Sequence, residues 1–179
     1  MRLDLIKQID TVQQPKSNRK LAVGILAVFF VALGLILFYL FVFPSFIKKP
    51  EINKPVLSNK EEITTKHIDW IVNELGIYKL HPNVNGEKPQ VEIFFADVNQ
   101  GFSADVENNR GITTAGNTSN PDVMISLDRD TFFTIFNLND SHQGILTQYK
   151  NGNIKVQLLK DQLYLLSKGY NTLYDSLNQ

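Results

Sequence analysis

The sequence predicts an α+β domain behind one apolar helix, and three observations carry that reading. An uncharged run, Leu21 to Phe43, differs in character from everything after it. Beyond it, short segments alternate apolar and polar residues at the two-residue period of strands, interspersed with segments whose apolar residues recur at three and four residues, the period of helices. A chain of 179 residues with ordinary apolar and charged fractions suits one domain with appendages. The layout read from this is a tail at 1–20, a transmembrane helix at 21–43, a linker at 44–57 and a folded domain at 58–179.

The tail holds Leu3, Ile6 and Ile9, too short a stripe to specify more than a juxtamembrane segment. The run "LAVGILAVFFVALGLILFYLFVF" follows; its about 23 residues at about 1.5 Å rise exceed the roughly 30 Å of bilayer hydrocarbon. A continuous helix satisfies its own backbone there, which is why Gly24 and Gly34 are tolerated. Pro44, Lys48 and Lys49 end the span. A cleaved signal peptide is the competing reading, against which stand the length of the run and the lack of a small-residue cleavage site. Arg2, Lys7, Lys16, Arg19 and Lys20 on one flank slightly outnumber Lys48, Lys49, Lys54 and Lys60 on the other. This tips the amino terminus toward the cytoplasm and the domain to the outside. The sequons at Asn117 and Asn139 permit that placement.

"PSFIKKPEINKPVLSNK" carries three prolines without periodicity and reads as an extended stalk. Ser58 and Glu61 have capping-box spacing, so a helix is expected to open there, with Ile68, Ile71, Val72 and Leu75 on one face and Gly76 at its end. Val91, Ile93 and Phe95 alternate with Glu92, Phe94 and Ala96 in the first strand. "FSADVEN" and "GITTAG", separated by Asn108 and Asn109, read as antiparallel neighbours. Val123, Ile125 and Leu127 form the apolar side of another strand. Asp128 then caps a helix holding Phe132, Phe133 and Phe136, with Asp130 in its first turn. A second short helix with Ile145, Leu146 and Tyr149 ends at Asn151-Gly152. "NIKVQL" alternates once more, and one long terminal helix is expected to carry Leu159, Leu163, Leu166, Tyr170, Leu173 and Leu177.

Several chemistries lack a foothold. Eighteen basic residues balance eighteen acidic ones, so no basic field points to nucleic acid. With no cysteine there is no disulfide or thiolate site. His67, His81 and His142 are far apart without ligand spacing, and no metal site is read from them. Asp97 and Asp105 flank a hairpin without calcium-loop spacing. No phosphate loop, nucleophile elbow or zinc signature is present, so no catalytic residue is assigned.

The order of elements, with "NPDVMISLDRDTFFTIFN" and "YKNGNIKVQLLKDQLYLLSKGY", resembles the sterol carrier protein type 2 family from about Ser58 onward. That resemblance implies a mixed five-stranded sheet covered on one side by helices. An apolar tunnel between the layers would take sterols, acyl chains or phospholipids, which are bound or transferred with no bond broken and no cofactor. Gln157, Leu158 and Leu159 stand where many relatives have a glycine. The residues taken to line such a tunnel are Phe94, Met124, Phe132, Phe133, Phe136, Ile145, Leu146, Tyr149, Leu163 and Leu166. The phenylalanines could equally fill a dry core, since wall and core look alike in a string. The expected partners are an apolar small molecule or lipid, and the membrane through Leu21–Phe43. A tethered interaction or dimerisation module is the alternative.

Overall fold

The computed structural model describes residues 19–56 and 62–177. The chain divides into two units, Met1–Ile36 and Leu37–Gln179. The first contains most of α1 (Arg19–Leu37), whose lipid-type side chains, Val23 to Ile36, are largely exposed to the surroundings. Together with a π-helical turn at Phe38–Val42 it forms one helix, Ala22–Val42, long and apolar enough to cross a membrane.

The second unit is an α+β domain built on a five-stranded mixed sheet. Its strands are β1 (Val91–Phe95), β2 (Gln100–Glu107), β3 (Arg110–Ala115), β4 (Val123–Leu127) and β5 (Lys155–Leu158), in the order β3-β2-β1-β4-β5. β1 and β4 run parallel, with Ile93 beside Ile125, and the other neighbours are antiparallel. The β2–β3 hairpin closes on Asn108 and Asn109, both at positive φ, the two-residue geometry that matches strand twist. Its sequence signal was the asparagine pair itself.

Helices cover one face only: α2 (Thr65–Glu74), α3 (Arg129–Asn137), α4 (Ser141–Lys150), α5 (Gln162–Ser167) and α6 (Tyr170–Leu177). Val91, Ile93, Phe95, Phe102, Ala104, Val123 and Ile125 are buried beneath them, each strand alternating as its pleat requires. The edge strand β3 is closed off by α2. Asn73 exchanges hydrogen bonds with the backbone N–H and C=O of Gly111, both 2.9 Å, and the Thr113 amide donates to Asp69 Oδ1 at 2.6 Å. Side chains of a helix thus take the place of a missing strand.

Three expectations need correction. The helix before the sheet begins at Thr65, later than the Ser58–Glu61 signal implied. That pair lies outside the described residues, while residues 62–64 are non-helical. The cap is Thr64, whose amide donates to Nδ1 of His67 at 3.1 Å, so a histidine at the third helical position does the work of the glutamate. The terminal helix is broken in two at Lys168–Gly169, with Gly169 at φ +83° and so placed that a Cβ there would meet the His81 ring at 3.2 Å. At its other end the helical region starts only at Gln162, so Leu159 precedes α5 and is 37% exposed, while Leu163 is 78% exposed. Finally, the segment read as an extended stalk does not stand apart from the domain over 49–54, because Lys49, Ile52 and Lys54 all contact it.

Candidate apolar binding site

The space between sheet and helices is set by how α3 and α4 are fastened. Asp128 caps α3 by accepting the Thr131 amide at 2.6 Å, and that hydrogen bonding holds its carboxyl below the usual aspartate range. Arg129 grips Asp97 at the end of β1 through its backbone N–H (3.2 Å) and Nε (3.0 Å). So positioned, α3 turns Phe132, Ile135 and Phe136 inward at helical spacing. α4, capped by Asp140, packs close against α3 at Gly144, where a Cβ would meet Leu138 Cδ1 at 2.7 Å. It delivers Ile145 and Leu146 to the interior.

The rings interlock. Phe132 meets Phe95 edge-on at 5.6 Å and stacks on Phe136 at 5.6 Å; Phe95 meets Phe102 at 6.0 Å, and Trp70 meets Phe136 at 5.1 Å. What space remains is a void of about 20 Å³ lined wholly by apolar side chains: Ile71 of α2 and Leu75 just after it, Ile93, Ile125 and Leu127 of the sheet, Phe132 and Ile135 of α3, Ile145 of α4, and Ile154. That is room for roughly one water-sized sphere, and an apolar hollow of this kind stays dry. Pockets for organic ligands run to about 300–1,000 Å³. The tunnel implied by the resemblance is therefore closed in this structure, because aromatic rings occupy the width an acyl chain would need.

The ten residues singled out in the sequence fall in three places. Phe132, Phe136, Ile145 and Leu146 are buried in the core, with Phe133 and Tyr149 half-buried against its margin. Phe94 and Met124 point to the other face of the sheet. They line an open groove of about 490 Å³ with Ser126, Asp128, Asn153 and Lys155. Leu163 is exposed and Leu166 half-buried on α5. Phe132 and Ile145 alone reach the void. Parity explains the split: Phe94 and Met124 sit one residue out of phase with Ile93 and Ile125.

A buried polar corner escaped sequence reading. Lys168, 1% exposed, donates to Asp122 Oδ2 (3.0 Å), the Lys88 carbonyl (2.8 Å) and Tyr164 OH (2.6 Å). Asp122 Oδ2 also accepts from Tyr170 OH and the Gln90 amide, both at 3.0 Å. Burial, followed by the Asp122 charge, pushes the Tyr170 phenol up. All three ammonium protons of Lys168 have acceptors, and the network joins Asp122, just before β4, to the α5–α6 junction. A lysine before glycine inside the expected terminal helix was the available signal. Among the described residues no cluster of three or more His, Asp or Glu could hold a metal.

No protein-family model matches the chain, and no curated protein matches it. Solved structures with similarity include the stereoselective inverting sec-alkylsulfatase Pisa1 from Pseudomonas sp. (18% identity, covering 49% of this chain and 12% of that one, TM-score 0.32). A UbiJ-SCP2 ubiquinone synthesis protein is similar over 50% of this chain and 70% of its own (9% identity, TM-score 0.32). A double mutant of the sec-alkyl sulfatase PisA1 is similar over 66% of this chain and 17% of its own (14% identity, TM-score 0.37). The chain spans only 12% and 17% of the two sulfatase chains, and at these identities and TM-scores no property of the three passes to it.

Proposed function

We propose that the chain is a membrane-tethered module that binds an apolar chain or lipid between its sheet and helices, without breaking a bond. The observation that carries this reading is the dry void where α2, α3 and α4 meet the sheet, lined by nine apolar side chains and no polar group. Such a seam offers nothing to water and everything to a hydrocarbon tail. Because the void is small, a ligand enters by separating α3 and α4 from α2, replacing ring-to-ring contact with ring-to-chain contact. The apolar helix Ala22–Val42 serves as the tether and keeps the domain within reach of bilayer lipid, raising its effective concentration there.

A second reading draws on the uncovered sheet face. Phe94 and Met124 are only half-buried there and Ile112 is 37% exposed, a surface that suits a protein partner or a second copy of the domain. Native mass spectrometry of the full chain, released from detergent, separates the two. One lipid retained per chain supports the binding module. A lipid-free dimer supports the interaction module and counts against lipid binding.

A further inference from the structure

The segment joining the apolar helix to the domain lies across the seam that the proposed ligand would use. Lys49 bonds Glu74, near the end of α2, at 2.7 Å, and that carboxylate is only 15% exposed. Ile52 packs against the core. Lys54 places its ammonium 4.9 Å from the Trp70 ring of α2 and 5.0 Å from the Phe136 ring of α3, and donates to the Leu138 carbonyl at 3.1 Å. One cation thus faces two aromatic rings from two different helices while bonding the backbone just beyond the second helix.

Those two rings are the outer layer of the seam. Trp70 is followed by Ile71, and Phe136 is preceded by Ile135; both isoleucines line the void. Trp70 and Phe136 touch edge to face at 5.1 Å, so parting α2 from α3 must first break that contact and the Lys54 contacts spanning it. We propose that residues 49–54 act as a strap that holds the α2–α3 seam shut, so that the segment leaving the membrane controls access to the interior. The strap regulates the binding site proposed above and rests on that reading for its purpose. Its mechanical claim stands apart from the identity of any ligand.

The chain contains no cysteine and a single tryptophan, Trp70, which makes both ends of the seam addressable. Ile71→Cys puts a thiol at the void beneath Trp70, in the full chain reconstituted into phosphatidylcholine nanodiscs. A methanethiosulfonate reagent should modify that thiol about tenfold faster when Lys49→Gln and Lys54→Gln are added, because local opening becomes more frequent. An unchanged rate overturns the strap. Should Ile71→Cys fail to fold, acrylamide quenching of Trp70 in the otherwise natural chain gives the second measurement. A rise with the two lysine substitutions supports the strap, and no rise overturns it. Dibrominated stearate, which quenches tryptophan only on close approach, tells the two ideas apart. If the loosened chain exposes its thiol yet stearate never quenches Trp70 in either form, the strap holds and the lipid reading fails.

Discussion

Two corners of the interior, α3 and the α5–α6 junction, are buried to the same degree and filled by opposite means. At α3, Phe132, Phe136 and Ile135 make non-directional contacts with Phe95 and the isoleucines of α2 and the sheet. At the junction, Lys168 and Asp122 are equally inaccessible, yet they are held by directed hydrogen bonds and an ion pair. The apolar corner can rearrange around a guest and lose little with each small displacement. The polar corner is all or nothing, since a half-satisfied buried network costs more than none. Opening between α2 and α3, as proposed, would leave the frame in place because the other end is pinned.

The largest effect should come from the pinned corner. Lys168→Ala leaves the Asp122 carboxylate buried without its cation and is expected to cost roughly 3 to 5 kcal/mol in urea unfolding. Adding Asp122→Asn to it should cost much less than the sum of the two single changes, and strict additivity would show that the pair is not coupled. Ile135→Ala, which enlarges the void, should cost about 2 to 5 kcal/mol. Here, unlike at Lys168, benzene should restore part of the melting temperature by occupying the new space. If benzene helps neither variant, the contrast between a yielding and an unyielding corner is lost.

Smaller effects sharpen the comparison at the margins. Asp128→Ala removes the α3 cap and should cost about 1 kcal/mol. Hydrogen bonding from Thr131 lowers the folded-state pKa of Asp128, so its contribution is present above the unfolded aspartate value and is lost as pH falls through the folded one. Glu92 has the opposite sign. It lies on the face away from the helices, flanked by Ser103 and Met124 on the neighbouring strands and only 4% exposed, and burial raises its carboxyl. The folded state therefore holds that proton longer, and stability declines as pH rises from the unfolded glutamate value through the folded one. Glu92→Gln should flatten that decline in thermal melts taken across the mildly acidic range.

Much of this architecture was legible because strand parity and helix spacing are local. Val91, Ile93 and Phe95 announced their face, Asp128 its helix, and Asn108-Asn109 its turn. What was not legible depended on distant partners. Whether Phe132 lines a hollow or fills it is decided by Phe95 and Phe136, whose rings arrive from a strand and from the next turn of α3. The break at Lys168–Gly169 coincides with an ion pair from Lys168 to Asp122, 46 residues earlier, a partner no local pattern reveals. Proline-rich composition suggested an extended stalk, and the partners of Lys54, the Trp70 and Phe136 rings and the Leu138 carbonyl, are all distant in sequence.

Six isoleucines line the void: Ile71, Ile93, Ile125, Ile135, Ile145 and Ile154. Methyl NMR of the full chain in nanodiscs, labelled at isoleucine and methionine and titrated with laurate, reads their surroundings one by one. Ligand uptake between sheet and helices predicts that these six methyls shift together while Ile112 and Met124, on the uncovered face, stay still. Shifts confined to Ile112 and Met124, or no shifts at all, would contradict a binding site in the interior.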